Sequence, residues 1–224
     1  GGIAALEPDL AGRFRRALFF PDEAHLDPRR ALAAAAKRLQ DLGVAIRFSV
    51  ELAPQDACAD VVVDCRGLAG RDALPDLRGV RGEMAVVRSS DASLQRPVRM
   101  LHPRIPLYIV PRGDGLFMIG ATMIESERRG PVSVRSAVEL LGAAYALHPA
   151  FGEAEIVELG AELRPAFPDN LPDVRQSGRV VHANGLFRHG FLLAPALARR
   201  AADAVLSILQ PETNHADLPQ RRRA

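Results

Sequence analysis

The feature that most restricts the fold of this chain is a short apolar run followed by a glycine-punctuated turn and a long helical pattern. A strand is predicted at 180–181, and an alanine-rich helical pattern ends near Leu209. Between them, the segment 182–194 contains Gly185 and Gly190. Glycine lets backbone N–H groups approach a ligand closely, and the following helix contributes a positive dipole end. The pattern predicts a site for an anion or an electron-rich planar group, although an ordinary strand-to-helix connection has the same spacing.

The first third of the chain alternates helix and strand patterns. The segment 27–42 predicts a helix with Asp27 as its N-cap, and 44–50 predicts a strand. A short apolar run at 60–67 ends at Gly67, which is typical of a buried strand whose end meets a ligand or a sharp turn. A helix followed by strands is typical of an α/β protein.

From Val80 onward the pattern changes to short, β-rich segments separated by turns. The predicted strands are 84–88, 97–101, 107–111, 116–123 and 156–163, with a hairpin turn at 112–115 and a helix at 134–147. The first four of these strands are evenly spaced with no helix between them, which predicts one antiparallel sheet, with the helix on one of its faces. The predicted fold class is therefore α/β plus antiparallel β.

Several segments resemble, in the same order, the D-amino-acid-oxidase family of FAD-dependent oxidoreductases. The resemblance is greatest to the glycine oxidase branch that supplies bacterial thiamine-thiazole synthesis. The segments that carry it are 20–28, Arg-Gly-Glu at 81–83, 108–112, Gly-Ala-Thr-Met at 120–123, Leu-Arg-Pro at 163–165 and 182–194. Together they cover nearly the whole chain.

The resemblance implies an FAD-binding domain interrupted by an antiparallel-sheet substrate domain. The FAD-binding domain would comprise 1–77 and 176–210, the substrate-binding domain 78–175, and a tail 211–224. The family opens with a Gly-x-Gly-x-x-Gly fingerprint that holds the cofactor pyrophosphate, and this sequence contains no such fingerprint. The FAD-binding domain is therefore expected to be incomplete, with the chain corresponding to the C-terminal two-thirds of such an enzyme.

Four residues are expected to bind the substrate. In the family, the arginine of Leu-Arg-Pro, here Arg164, clamps the amino-acid carboxylate, and the tyrosine corresponding to Tyr108 donates to it. In the glycine oxidase branch the methionine corresponding to Met123 keeps the cavity small, and in the family the backbone near the arginine corresponding to Arg188 orients the amine. Judged without the resemblance, Arg164 is more often a structural salt bridge, and Tyr108 and Met123 are more often core residues. We predict that Arg164 and Tyr108 converge on one cavity, with Met123 on its wall and Arg188 at its margin.

Two segments are expected to contact FAD. Gly67 would let the chain pass the cofactor at the end of its strand. The glycine turn would present its backbone to the flavin through Leu186, Phe187, Arg188, His189, Gly190, Phe191 and Leu192. The roles of His189 and Arg66 stay open, because this chain departs from the usual family pattern at both positions.

The resemblance implies FAD-dependent oxidative deamination of glycine or another small amino acid. The products would be an imine, then a 2-oxo acid, with hydrogen peroxide, and the reaction would feed thiamine thiazole synthesis. The alternatives are a D-amino-acid dehydrogenase or sarcosine oxidase of the same fold, or a non-catalytic truncated fragment. The presence of bound flavin would distinguish an enzyme from such a fragment.

Composition argues against several other classes of protein. The net charge is +2, from 29 basic and 27 acidic residues, so neither nucleic acid nor a membrane is an expected partner. Cys58 and Cys65 have no His or Cys nearby at zinc spacing, so no metal is predicted. They are expected to be reduced thiols of a cytoplasmic protein, with at least Cys65 buried. Whether the protein forms a homo-oligomer stays open.

Overall fold

The structure is a computed structural model that describes residues 2–101 and 107–210. In chain order, its helices are α1 (Gly2–Leu6), α2 (Pro28–Asp41), α3 (Val134–Leu147) and α4 (Gly190–Leu209). Its strands are β1 (Val62–Asp64), β2 (Arg78–Arg88), β3 (Val98–Met100), β4 (Leu107–Gly113), β5 (Leu116–Gly120), β6 (Glu155–Ala166), β7 (Asp173–Ser177) and β8 (Val180–Asn184). The predicted class, α/β plus antiparallel β, is confirmed.

These elements form two compact units. The first holds the described residues of Gly1–Phe48 and Gly79–Arg164, and the second holds those of Ser49–Arg78 and Pro165–Ala224. The predicted FAD-binding domain also included the residues before Phe48, which here cluster with the antiparallel sheet. The assignment of cofactor and substrate binding to separate domains stays a prediction. The predicted tail, 211–224, lies outside the described residues.

A five-stranded sheet in the order β3-β4-β5-β2-β6 dominates the first unit. The pairs β3–β4, β4–β5 and β2–β5 are antiparallel. The β4–β5 hairpin turns where Gly113, Asp114 and Gly115 all have positive φ, at 83°, 51° and 68°. Glycine and aspartate are residue types that tolerate this conformation, which explains why the hairpin could be predicted from the sequence.

One face of this sheet is the apolar core of the first unit. Alternate residues of the strands face it, among them the buried side chains of Ala85, Val87, Ile109, Phe117 and Ile119. Helix α3 packs against the same cluster through Leu140, Ala143, Ala144 and Leu147. The predicted helix at 134–147 on one face of an antiparallel sheet is therefore confirmed.

Helix α2 begins as its sequence predicts. The Asp27 carboxylate accepts hydrogen bonds from the backbone amides of Arg29 and Arg30, at 2.9 and 3.1 Å. These bonds satisfy two of the amides that a helix leaves without intrahelical partners at its first turn. All 14 residues of α2 are described, and none of them is buried.

The second unit contains a three-stranded sheet in the order β1-β8-β7. Strand β8 runs parallel to β1 and antiparallel to β7, and α4 follows β8. The buried Phe167 packs with Leu74 and Leu77 in a small apolar cluster of this unit.

The predicted strand at 44–50 is wrong. The described chain forms no strand there, and Ser49 has a left-handed φ of 57°, which interrupts extended backbone. A strand needs a neighbour for its backbone hydrogen bonds, and local apolar alternation carries no information about whether that neighbour exists.

The expectation that β1 and Cys65 are buried is also wrong. Val63 is 44% exposed and Cys65, just after the strand, is exposed. The reason is that β1 lies at the edge of its sheet in the described chain, so one side of the strand is uncovered. Strand β7 was not predicted at all, because its sequence, Asp-Val-Arg-Gln-Ser, has little apolar character.

Candidate functional site

The sheet of the first unit has a second face, opposite the α3 core, and this face carries Tyr108. In the register of the sheet, Tyr108 pairs with Gly120 of β5 and Arg99 of β3. The adjacent Ile109 and Ile119 face the core. Because side chains alternate along a strand, Tyr108, Arg99 and Gly120 belong to the opposite side. We call this side the Tyr108 face.

Met123 belongs to the same side of the sheet. Arg81 pairs with Ile124, and the amide of Thr122 donates to the Glu83 carbonyl at 3.0 Å. Gly82 and Met123 therefore lie opposite each other between these contacts. Gly82 is three residues before the core residue Ala85, which places it and Met123 on the Tyr108 face. The Met123 side chain is 55% exposed.

The Arg164 guanidinium lies directly over Gly82. A Cβ atom added to Gly82 would lie 2.1 Å from the Arg164 Cζ, far inside van der Waals contact. One terminal nitrogen of Arg164 donates to the Thr122 carbonyl at 3.0 Å. Arg164 is half-buried on β6, which neighbours β2 in the sheet. Tyr108, Met123 and Arg164, far apart in sequence, are thus brought to one face.

The Tyr108 ring lies over Gly120 in a similar way. A Cβ atom on Gly120 would lie 2.6 Å from the Tyr108 Cζ. Burial raises the pKa of the Tyr108 phenol above its ordinary value of 10.0, against the opposing charges of Arg164, Arg99 and Arg112. The phenol therefore stays protonated at neutral pH and can donate a hydrogen bond.

Two further arginines hold the 20–28 segment beside Tyr108. Arg99 forms an ion pair with Glu23, and Arg112 donates to the Leu26 carbonyl. The sequence alone assigned no role to Arg112. In the structure these two arginines connect the 20–28 segment, which is one of those that carry the family resemblance, to β3 and β4. Tyr108 lies on β4.

The core side of β2 carries a buried ion pair. The Arg81 Nε donates to the Glu83 carboxylate at 2.5 Å, and the two residues are 6% and 0% exposed. Ser133 also donates to this carboxylate, from its hydroxyl at 3.1 Å. Burial tends to raise the pKa of Glu83, but hydrogen bonds from Ser136, Arg81 and Ser133 hold it below its ordinary value. The pair is an internal structural contact and lies away from the Tyr108 face.

In the second unit, the two strand ends predicted to meet the cofactor are joined by one side chain. The Asn184 Nδ2 donates to the Gly67 carbonyl at 2.9 Å, and its Oδ1 accepts from the Gly185 amide at 2.8 Å. Gly67 and Gly185 both have positive φ, at 60° and 82°. Since β1 and β8 are parallel neighbours, both turns lie at the carboxyl end of the sheet, where α/β folds bind ligands.

The predicted flavin segment, 186–192, forms the entry to α4. His189 is the N-cap with a left-handed φ of 55°, and its side chain makes no capping hydrogen bond. The first amides of α4, from Gly190 onward, therefore have neither an intrahelical acceptor nor a side-chain cap. Such amides, with the positive helix end, match an electron-rich flavin edge, so the residues present fit FAD. Arg188 and His189 are exposed, and both belong to the second unit.

Arg66, which had no interpretation from the sequence, has structural partners. It donates to the buried Asp64 carboxylate and to Asp72, each at 2.9 Å. His182 approaches the same Asp64 at 3.2 Å. Arg66 therefore joins the two ends of the turn that follows β1.

Three contributors to these sites were missed from the sequence. Gly82 lies inside a strand between Arg81 and Glu83, and Gly120 ends the apolar run of β5. Glycine in a strand is a signal for close approach of another group. Asn184 ends β8 directly before a glycine, a position where an amide can bond neighbouring backbone. Each signal is local, but the group that approaches comes from elsewhere in the chain.

Within 2–101 and 107–210, no group of three or more His, Cys, Asp or Glu residues is placed to hold a metal ion. Across the same ranges, no helix combines the length and apolarity required for a membrane span.

Comparison with known proteins agrees with the geometry. The family of FAD dependent oxidoreductases called DAO matches residues 1–204. The chain is 62% identical over 205 residues to a Rhizobium etli protein named as a candidate thiamine biosynthesis oxidoreductase, ThiO, covering 92% of this chain. It is 27% identical over 227 residues to Bacillus licheniformis glycine oxidase, covering 91% of this chain. The crystal structure of Geobacillus kaustophilus glycine oxidase has a TM-score of 0.56 at 26% identity, covering 74% of this chain and 46% of that chain.

The chain belongs to the DAO family of FAD dependent oxidoreductases. Its predicted resemblance to thiamine-biosynthetic glycine oxidase is confirmed, and FAD is the cofactor of the family. The chain spans about three fifths of the length of the two relatives named above, 62% of the Rhizobium etli protein and 60% of the Bacillus licheniformis enzyme.

Proposed function

We propose that the full-length protein is an FAD-dependent amino-acid oxidase that deaminates glycine or a similarly small amino acid and serves thiamine thiazole synthesis. One observation carries the proposal. Tyr108, Met123 and Arg164 share one face of the antiparallel sheet, with the Arg164 guanidinium and the Tyr108 ring both lying over glycines. The names of the similar proteins, which include glycine oxidases and ThiO, agree with it.

Arg164 and Tyr108 would bind the substrate carboxylate. A guanidinium presents two parallel N–H donors, which match the two oxygens of a carboxylate. The Tyr108 hydroxyl supplies a further donor, because burial keeps its pKa above the ordinary value. Held in this way, a small amino acid has its α-carbon fixed relative to the sheet, which is the orientation effect that oxidation at that carbon requires.

Met123 would limit substrate size. Its side chain lies opposite Gly82, the residue beneath Arg164, so it occupies the same region of the Tyr108 face. A flexible thioether fills space next to a bound α-carbon without adding a charge. Glycine has no side chain to displace it, whereas larger amino acids would have to move it.

The cofactor residues would be Gly67 and the segment 186–192 of the second unit. When bound, FAD accepts two electrons from the substrate α-carbon and delivers them to oxygen, which leaves as hydrogen peroxide. The amides at the start of α4 would hold the flavin edge, and Asn184 fixes Gly67 relative to Gly185. The proposed cycle uses no protein base, so His189 is assigned no proton-transfer role.

Reconstitution of the full-length protein with FAD tests the proposal. Glycine, sarcosine and D-alanine are offered as substrates, together with methylamine, which has the amine but no carboxylate. We expect glycine to release peroxide and one equivalent each of glyoxylate and ammonia, and methylamine to give little turnover. Equal turnover of methylamine would contradict carboxylate recognition.

The same preparation separates the alternatives. Turnover that reduces an artificial electron acceptor without forming peroxide would identify a dehydrogenase, and a preference for sarcosine would identify a sarcosine oxidase. A colourless protein that takes up no FAD would favour a non-catalytic fragment. The cytoplasmic location expected from the two free cysteines and the oligomeric state stay predictions.

A further inference from the structure

Gly82 lies beneath Arg164, where there is no room for a side chain. Its backbone conformation does not itself require glycine. A Cβ atom on Gly82 would lie 2.1 Å from the Arg164 Cζ and 2.2 Å from both of its terminal nitrogens. Such distances essentially never occur for real Cβ atoms. Gly82 is absent from the positive-φ residues of the described chain, so an ordinary side chain would suit its backbone.

A glycine inside a strand is otherwise unfavourable. It adds no packing and loses more conformational freedom on folding than other residues. Gly82 is fully flanked by β2 residues, and its neighbours Arg81 and Glu83 are buried on the core side. The approach of Arg164 therefore accounts for glycine at this position. Gly120 beneath the Tyr108 ring repeats the arrangement, with its added Cβ 2.7 Å from the phenol oxygen.

We propose that Gly82 is a positioning residue for carboxylate recognition, an inference that rests on the carboxylate-binding role proposed for Arg164. Glycine lets the guanidinium lie flat against β2, where one of its nitrogens reaches the Thr122 carbonyl at 3.0 Å. Any side chain at position 82 pushes the guanidinium off the strand. The guanidinium donors then leave the position from which, in this proposal, they bind one carboxylate together with the Tyr108 hydroxyl.

Gly82→Ala in the FAD-loaded full-length protein tests this role, with acetate as the carboxylate probe and glycine as the substrate. We expect about a tenfold or larger rise in the acetate inhibition constant and in the glycine KM, because a charge-assisted contact is displaced. The flavin content and absorbance spectrum should stay unchanged. Unchanged acetate inhibition in a folded Gly82→Ala protein would overturn the proposal.

Gly160→Ala is the matched control. Gly160 lies on β6, beside β2, and its added Cβ would meet only the terminal methyl of Met84 closely, at 2.9 Å. That methyl ends a flexible side chain and can move aside. Acetate inhibition in Gly160→Ala should therefore match the unchanged protein. An equal loss of binding in both variants would mean that any added methyl on this sheet disturbs the site, and the specific role of Gly82 would be wrong.

Combining Gly82→Ala with Arg164→Ala shows whether the glycine acts through the arginine. If it does, the double variant binds acetate no more weakly than Arg164→Ala alone, because there is no guanidinium left to displace. Effects that multiply instead would overturn the proposal. If Arg164→Ala by itself leaves acetate binding unchanged, the proposed function of Arg164 fails.

Urea unfolding without added FAD tests the contact between Gly82 and Arg164 independently of activity. The four proteins compared are the unchanged protein, Gly82→Ala, Arg164→Ala and the double variant. The destabilisation by Gly82→Ala should be smaller in the Arg164→Ala background, because the added Cβ atom then has no guanidinium to overlap with. If Gly82→Ala alone does not fold, restoration of folding by Arg164→Ala supports the contact, and continued misfolding overturns it. Additive destabilisation would also overturn it, whatever the fate of the proposed function.

Discussion

Arg81 and Arg164 lie on neighbouring strands of one sheet but face opposite sides, and their surroundings differ. Arg81 is 6% exposed and bonds the buried carboxylate of Glu83 and the carbonyls of residues 128, 130 and 131. Arg164 is half-buried, lies over a glycine and shares the Tyr108 face of the sheet. A buried charge matched by a counter-charge in the same chain serves the fold. A charge held on a partly accessible face beside another donor suits a ligand.

The residues of the Arg-Gly-Glu segment at 81–83 point to both sides of the sheet. Its outer residues point to the core side, where the Glu83 carboxylate joins β2 to Ser133 at the start of α3. Its central glycine points to the Tyr108 face and makes room for Arg164. Substitutions on the core side should change the free energy of unfolding, and substitutions on the Tyr108 face should change ligand binding.

Glu83→Ala should have the largest effect. Removal of one partner from a buried ion pair leaves the Arg81 charge uncompensated, which typically costs about 3–5 kcal/mol of unfolding free energy. Urea denaturation of the variant and the unchanged protein measures the difference. Asp41→Ala is the control, because Asp41 pairs with Lys37 on the exposed α2 and such a pair contributes about 0.5 kcal/mol. Similar small losses in both variants would contradict the structural role of Glu83.

The contribution of Glu83 should also depend on pH. The pKa of its carboxyl is lowered in the folded protein from an ordinary value of 4.5. Its stabilisation is therefore fully present above that ordinary value and is lost as the pH falls through the lower, folded value. Urea midpoints of the unchanged protein and Glu83→Gln should converge as the pH is lowered from about 7 to about 3. A constant gap between them would contradict this account.

Arg164→Ala should weaken binding with a smaller effect on folding. Loss of hydrogen bonds from a charged group costs about 1.5–3 kcal/mol, or roughly ten- to a hundredfold in affinity for a carboxylate. Acetate inhibition of the FAD-loaded protein measures the affinity, and urea unfolding measures the stability. If Arg164→Ala lost as much stability as Glu83→Ala and acetate inhibition stayed unchanged, the proposed difference between a structural core side and a ligand-binding Tyr108 face would be wrong.

Tyr108→Phe should weaken carboxylate binding less, by about 0.5–1.5 kcal/mol, because only one neutral hydroxyl is removed. The difference from the unchanged protein should not vary with pH around neutrality, since the pKa of Tyr108 lies above its ordinary value of 10.0. Measurement of the acetate inhibition constant of both proteins as a function of pH checks both statements. A change centred near neutral pH would point to a different group.

Met123→Gly should alter selectivity more than affinity. A wider cavity should favour D-alanine over glycine by about 1 kcal/mol, near the lower limit for one methylene group in a pocket, because Met123 is already half exposed. The ratio of kcat/KM for the two substrates measures this shift. An unchanged ratio would remove Met123 from the cavity wall.

Local patterns predicted much of the antiparallel unit. The helix at 134–147 has apolar residues at helical spacing, and the hairpin at 112–115 has the glycines its backbone needs. Each is determined by adjacent residues. The strand proposed at 44–50 failed because strand formation depends on a partner strand, which no local pattern reveals.

The candidate site was less accessible to sequence reasoning. The roles of Arg164 and Tyr108 came from family resemblance, since an arginine and a tyrosine in strands have several ordinary structural roles. Their placement on one face follows from register, which depends on pairing between β4, β5, β2 and β6. Gly82 could be recognised as unusual, but its reason is a side chain 82 positions further along the chain, and only the fold brings the two together.

The Asn184 bridge has a consequence for chemical ageing. Asn184 is followed by Gly185, and an asparagine before glycine is the sequence context in which side-chain amides hydrolyse most readily. Deamidation would replace the nitrogen that donates to the Gly67 carbonyl with a carboxylate oxygen. Two acceptors would then face each other in a buried position, and one of them would be charged. The turn after β1 would lose its tether to β8, a local change that leaves the rest of the sheet and the helices in place.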